Sequence, residues 1–363
     1  MNKSSSLIKQ LKLNFEPQYQ NKEPKYSDPE KPVTEQLSAA VFTENGKYLW
    51  LAADEEIAIE RLEKIDDKTY GNHQRFALQD LLDDFDPKQK EVDIEGLDYD
   101  GQYLWLIGSH SSKRKKAKEN PISGKQLTVA LDGNRYLLAR IPIKDGKLIK
   151  STESEHSAVL KREPNSNELL TVLAQDPYLG EIIRSNLPGK DNGFDIEGFV
   201  IKNNKILIGL RGPVLRGIAI LIEIELEEAQ QGILTLKTIG TDEKGYKLHF
   251  IDLNGLGIRE LCMNENNLLI LAGPTMSLDA SMRLFQLNDP FSLQENSLTE
   301  AQDNLLKILF EIPHGFQNDR AEGITLYTDE NERKSILVVY DTPNKQRLDN
   351  NEFTVLSDIF QLP

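Results

Sequence analysis

The strongest constraint on this chain is a phrase it repeats. "VDIEGLDYDGQYLWLIGSHS" runs from Val92 to Ser111, and "FDIEGFVIKNNKILIGLRGP" from Phe194 to Pro213. Each places Asp-Ile-Glu-Gly ahead of an apolar run, a polar turn, a second apolar run and a polar or Gly-Pro tip. Three further copies align with these. Ser38-Ala39-Ala40-Val41-Phe42 precedes "TENGKYLWLAADE". Ile258-Arg259-Glu260-Leu261 precedes "CMNENNLLILAGP", and Arg320-Ala321-Glu322-Gly323 precedes "ITLYTDENERKSILVVYD". Asn45-Gly46, Asp100-Gly101 and Asn203-Asn204 stand where a tight hairpin needs residues tolerant of positive φ.

A third apolar run follows each hairpin: from Ile57, Tyr136, Ile218, Met282 and Asp358. A fourth starts near Arg75, Gly146, Ile233 and Leu305, but the fifth copy ends at its third run. "LKLNFEP", Leu11 to Pro17, supplies the candidate for the missing strand. Repeats of this length with four strands each are the signature of a β-propeller. The chain is therefore expected to be all-β: one domain over 1–363, with five four-stranded blades and the ring closed by the N-terminal strand. Closure also removes the open sheet edges an array would have to protect. Residues 151–192 break the pattern. "NELLTVLAQDPYLGEIIRSNL" has helical apolar spacing interrupted by Pro177, and reads as a helical insertion between the second and third blades. A degenerate sixth blade is the alternative reading of that stretch.

Charge and composition narrow the function. Lys plus Arg number 43 and Asp plus Glu 58, a net charge of -15. That argues against a sequence-independent nucleic-acid binder, which needs excess positive charge. The single Cys262 allows no intrachain disulfide and no zinc cluster. There is no apolar run of signal-peptide length at the N-terminus, and none approaches the roughly 18 apolar residues of a membrane span. The expectation is a cytoplasmic, monomeric protein whose partner is a small molecule, with no role for nucleic acid or membrane.

In a propeller, inner-strand starts and second-strand ends meet at one mouth of the central channel. Glu95, Glu197, Glu260 and Glu322 recur at one position of four inner strands, while Ala40 stands there in the first copy and Leu261 replaces the following Gly in the fourth. Crowded like charges raise one another's pKa or recruit cations. These four glutamates are the candidate metal ligands, with calcium the expected divalent ion because it takes several oxygens. The competing reading makes each Glu a hydrogen-bond acceptor that holds blades in register. The non-repeating positions supply the asymmetry a ligand site needs. Asp54, Glu55, Ser109, Arg259, Arg320 and Asp341 are candidate ligand-binding residues, and His110 and Arg211 candidate catalytic ones. The run Lys113-Arg114-Lys115-Lys116, with Lys118, reads as a solvated loop placed to recruit an anion. No HExxH, GxSxG, P-loop or dinucleotide fingerprint appears.

With the Asp-Ile-Glu-Gly copies, Ser109-His110-Ser111 after "LWLIG", and "GLRGP" in view, the chain from about Leu37 to Pro363 resembles a bacterial propeller family known as domain of unknown function 3616. That resemblance implies the fold and no activity. More distantly, the Glu-Gly inner strands are similar to phytase-like and esterase-like propellers, and to calcium-dependent lactonases of the gluconolactonase type. The last of these implies Glu95 or Glu197 as a metal-binding carboxylate. In those lactonases Pro follows Glu-Gly, whereas Leu97, Phe199 and Ile324 follow here. Two functions come out of this reading: a metal-dependent hydrolase of phosphate esters or lactones, and a non-catalytic module binding an anionic small molecule or a peptide.

Overall fold

The computed structural model describes residues 6–16, 32–54, 56–83, 85, 92–120, 124–163, 165–276, 282–300, 304–314 and 319–363; of 114–120 and 124–128 only the backbone is described. The fold is a β-propeller. The first sheet is a meander of Leu37–Thr43, Tyr48–Ala53, Ala58–Lys64 and Thr69–Ala77. The second begins with Ile94–Tyr99, Tyr103–Gly108 and Leu138–Lys144, and the third with Asp195–Lys202, Lys205–Gly212 and Ala219–Gln230. The fourth is Gly257–Asn264, Asn267–Gly273, Met282–Asn288 and Leu306–Ile312. In the last, Arg320–Thr328, Lys334–Asp341 and Thr354–Gln361 are completed by Leu7–Asn14, paired antiparallel to Thr354–Gln361. The N-terminal strand thus closes the ring, and it also touches Thr69 and Tyr70 of the first sheet.

Packing explains why these strands are apolar on both faces. Tyr48–Ala53 is buried at every residue because a neighbouring sheet lies on each side. One apolar cluster fills each gap between successive sheets. The cluster between the last sheet and the first holds Leu11, Leu13, Leu49 and Leu51 against Leu337, Val339 and Ile359. Both tryptophans are core, as expected from their second-strand positions. Trp50 donates to Thr43 Oγ1 at 2.9 Å and Trp105 to Asp100 Oδ2 at 2.7 Å. Asn203 and Asn204 both take left-handed φ in the third hairpin turn, as their identities required.

Two expected outer strands differ. In the third sheet the run from Ile233 is not the fourth strand; Lys247–Ile251 is, paired with Ala219–Glu223. The third strand runs for 12 residues, so its far end has room for a second partner, Ile233–Leu236, which also joins Ala158–Leu160 of the second sheet. In the second sheet the fourth strand is split between Lys147–Leu148 and Ala158–Leu160. Residues 151–192 therefore contribute a strand before their two short helices, Glu168–Leu173 and Gly180–Ser185. Leu169, Leu170, Leu173 and Leu179 bury against the core between the second and third sheets. Tyr246 ties this segment down by donating to Asp176 Oδ2 at 2.8 Å. No helix among the described residues is long and apolar enough to cross a membrane.

Candidate functional site

Inner strands of successive sheets pack on one another around the channel. Each breaks register with its neighbour near its start: at Ser38, Glu95, Glu197, Arg259 and the Glu322-Gly323 pair. A bulge re-aims the side chain it carries. This corrects the repeat as read from sequence. Ser38 rather than Ala40, and Arg259 rather than Glu260, hold the bulge position. The reason is a shift of one residue in the fourth inner strand, enough to move a side chain to the other face. The four-glutamate ring is therefore three glutamates with an arginine among them.

That arginine joins two of the glutamates. Arg259 Nε lies 2.8 Å from Glu197 Oε2, in an ion pair without hydrogen-bond geometry, and its Nη2 pairs with Glu322 Oε1. Glu197 Oε1 also accepts from Arg211 Nη1 at 2.7 Å, and Arg211 Nε donates to the Thr275 carbonyl at 3.1 Å. Arg211 lies 3.8 Å from Asp195 as well. Burial works against the Arg211 charge, but Glu197 and Asp195 hold its pKa above the ordinary value.

Glu260 is elsewhere. Its Oε1 accepts from the backbone N–H of Phe199 at 3.1 Å and of Leu261 at 2.8 Å. It is a register-holding acceptor between inner strands, and burial pushes its pKa well up. Asp98 does the same for Ile201 N–H at 2.7 Å, with burial raising its pKa to about 7. Close approach of the inner strands is also why Gly follows the bulged Glu: a Cβ on Gly96 would meet Phe199 Cβ at 2.3 Å. Leu261 lies against Gly198, where a Cβ would meet its Cγ at 2.7 Å.

On the opposite side of the mouth Asp54 is the hub. Its carboxylate lies within 4.8 Å of Asp93 and Glu95 in one group, and of Glu322 and Asp341 in another. Asp93 pairs with Arg135, which also donates to Ser109 Oγ at 3.1 Å and Ser111 Oγ at 2.8 Å. Burial opposes the Asp93 charge, but Arg135 and Ser109 keep its pKa below the ordinary value. The others go the opposite way. Burial, then Glu322 and Asp341, push Asp54 well up; burial, then Asp93 and Asp54, do the same to Glu95. Burial is likewise the main cause that raises Glu322 to about 8 and Asp195 to about 7.

Seven carboxyls (Asp54, Asp93, Glu95, Asp195, Glu197, Glu322, Asp341) thus meet three buried guanidiniums (Arg135, Arg211, Arg259). Lys190 and Arg320 are exposed; Lys190 lowers the pKa of Asp54 and Asp93, and Arg320 is the register partner of Asp341. Four buried carboxylate oxygens, Asp54 Oδ1, Glu197 Oε2, Glu260 Oε2 and Glu322 Oε2, have no hydrogen-bond partner among the described residues, though Glu197 Oε2 has Arg259 Nε beside it and Glu260 lies outside this cluster.

His110 does not join this cluster. The loop after Gly108, in which His110 takes a left-handed φ of 54°, sends Ser109 and Ser111 to Arg135 and His110 to the opposite side. There Asn167 Nδ2 lies 2.6 Å from its Nε2, while its Nδ1 lies 2.7 Å from the Gly108 carbonyl. Burial lowers its pKa to about 4. Glu55 and the side chains from Arg114 through Lys118 lie outside the described residues. Sequence reasoning missed Arg135, which comes from a short turn before a third strand, where the repeat gives no signal.

The fold and this mouth define a class: a β-propeller whose channel opens through a cluster of carboxyls only partly neutralised by arginine. Residues 36–358 match a family model, and the chain belongs to that family, described as protein of unknown function (DUF3616). None of the curated proteins matches. Among solved structures, it is similar to an exo-β-1,3-galactanase from Clostridium thermocellum, with a TM-score of 0.43, 10% identity, and coverage of 89% of this chain and 60% of that one. It is also similar to an α-L-arabinofuranosidase from Lactobacillus brevis, with a TM-score of 0.41, 9% identity and 92% of each chain covered. The Cps50 (Swd1) β-propeller domain of Myceliophteria thermophila gives 0.37 at 8% identity, over 90% of this chain and 96% of that one. At such identities these likenesses say nothing of activity.

Proposed function

We propose that the channel mouth binds a divalent cation, and through it an anionic small molecule. The carrying observation is the surplus of carboxyls over guanidiniums at the mouth, with the buried Asp54 Oδ1 and Glu322 Oε2 lacking a hydrogen bond among the described residues. An unpaired buried carboxylate is costly, so these groups must hold protons or take a cation. The donor set, all oxygen, suits calcium, which accepts about six to eight oxygen ligands. Asp54, Asp93 and Glu95, or Asp54, Glu322 and Asp341, would hold it. Glu197 is engaged by two arginines, and Glu260 sits between strands, so neither belongs to the metal set. Arg320 and Lys190 at the rim would meet the anion.

Bound there, the ion would polarise a carbonyl or phosphoryl oxygen. Hydrolysis of a phosphate ester or lactone is therefore a second reading. What favours it is Asp195, whose carboxyl is raised to about 7 and so suits proton transfer near neutrality. It takes the role first assigned to His110. Calorimetric titration of calcium, magnesium and manganese into chelator-treated protein tests the main reading. Calcium should release or absorb heat with wild type and not with Asp54→Asn; silence from all three ions would overturn it. Turnover of p-nitrophenyl phosphate or a γ-lactone, lost in Asp195→Asn while calcium still binds, would establish the second.

A further inference from the structure

A cavity of about 300 Å³ lies between the two helices of the insertion and the second and third sheets, away from the carboxyl cluster. Its walls are Tyr136, Leu170, Ile182, Ile183 and Phe194. Three amides, Asn165, Gln175 and Asn186, also line it, and none of these side chains is hydrogen-bonded to another described residue, whereas the hydroxyls of Ser112, Ser166 and Thr171 in the same lining donate to backbone carbonyls. None of the described lining residues is acidic or a lysine or arginine. In a chain that is 28% charged this is a marked local bias.

His110 keeps the cavity neutral. The Asn167 amide is oriented by three partners: its Oδ1 accepts from Leu170 N–H at 3.0 Å, and its Nδ2 donates to the Tyr136 carbonyl at 2.9 Å and to His110 Nε2 at 2.6 Å. His110 Nε2 is therefore the acceptor, and Nδ1 carries the proton given to the Gly108 carbonyl. With both nitrogens engaged, the imidazole offers the cavity only its uncharged ring, set edge-on to Tyr136.

We infer that this cavity is a second ligand site, for an uncharged small molecule with a flat apolar body and one amide, carbonyl or hydroxyl group. The body would pack on Tyr136, Phe194 and the leucine and isoleucine walls. The polar group would meet Asn165 and Gln175. A charged ligand would lose its hydration against a lining that holds no charged side chain among the described residues. Small-molecule sites start at about this volume and set polar groups that fix orientation against apolar walls.

Benzamide and benzoate have the same shape and differ in charge, so they test the assignment. Saturation-transfer NMR is run with each on the full chain and on Ala174→Leu, which fills the cavity. The part of the signal that Ala174→Leu removes is the cavity's part. Benzamide should show such a part and benzoate none. Gln175→Glu, at an exposed rim position, guards against a folding failure of Ala174→Leu. It should weaken benzamide at least tenfold and admit the benzamidinium cation. The proposal falls if benzamide gives no saturation transfer, if its signal survives both substitutions, or if benzoate loses as much signal as benzamide.

Discussion

Arg259 answers two carboxylates at once, Glu197 and Glu322, and is itself buried. Removing it leaves both acids facing each other in a place where water does little to screen them. Arg259→Ala should destabilise by about 3–5 kcal/mol at pH 8, the usual cost of breaking a buried pair. The loss should shrink at pH 5, where Glu322 holds its proton. Urea melts at the two pH values check this. Glu260→Ala behaves differently. It strands the N–H of Phe199 and should cost about 1–3 kcal/mol, yet leave the calcium response intact. The sequence shows Glu260 and Glu197 as equivalent because both follow the same apolar grammar. They differ by one residue of strand register, which depends on where the bulge falls in the folded sheet. Composition of the strand carries no mark of that. Arg135 was hidden for a related reason: its partners Asp93 and Ser109 are distant in sequence and meet only when the mouth forms.

The closing strand shows what is legible at the level of elements. An unfinished last copy and a spare apolar run at the other end pointed to closure, and Leu7–Asn14 pairs with Thr354–Gln361 over its length. Leu11 and Leu13 are fully buried in the last gap. Each is worth about 1.5–3 kcal/mol of burial, before the lost ladder is counted. Deleting residues 1–14 should lower the melting temperature steeply and expose Thr354–Gln361 as a pairing edge, seen as aggregates in size-exclusion chromatography. Unchanged melting would mean the ring is held elsewhere. The outer strands were less legible. Ile233–Leu236 follows Ala219–Gln230 directly and reads as its partner, whereas Lys247–Ile251 lies further on and carries Lys247 and His249. Only the 12-residue length of Ala219–Gln230 lets both pair with it, one at each end. Outer strands meet solvent and neighbouring insertions, so their pairing answers to local geometry more than to the repeat.

For the whole molecule, the proposed cation site would couple stability both to pH and to the ion. Burial raises Glu322 in the folded chain to about 8, against an ordinary value of 4.5. Asp54 and Glu95 are shifted in the same direction, and Asp195 to about 7. A carboxyl with a raised folded pKa binds its proton more tightly in the native state than in the unfolded one. Its contribution to stability is full below the unfolded value and is lost as pH rises through the folded one. Metal-free protein should therefore lose stability steadily between about pH 5 and pH 8. If the proposed function holds, calcium should reverse the trend, because it binds only deprotonated carboxylates and so competes best where protons have left. Its stabilisation at a hundred times Kd is about 2.7 kcal/mol. Thermal melts at pH 5, 6.5 and 8, with calcium and with chelator, should give two curves that nearly meet at pH 5 and diverge as pH rises. Asp54→Asn should flatten the divergence. Two parallel curves would mean that any calcium bound lies away from these carboxyls; a metal-free protein most stable at pH 8 would mean that the mouth tolerates its charge without proton or ion.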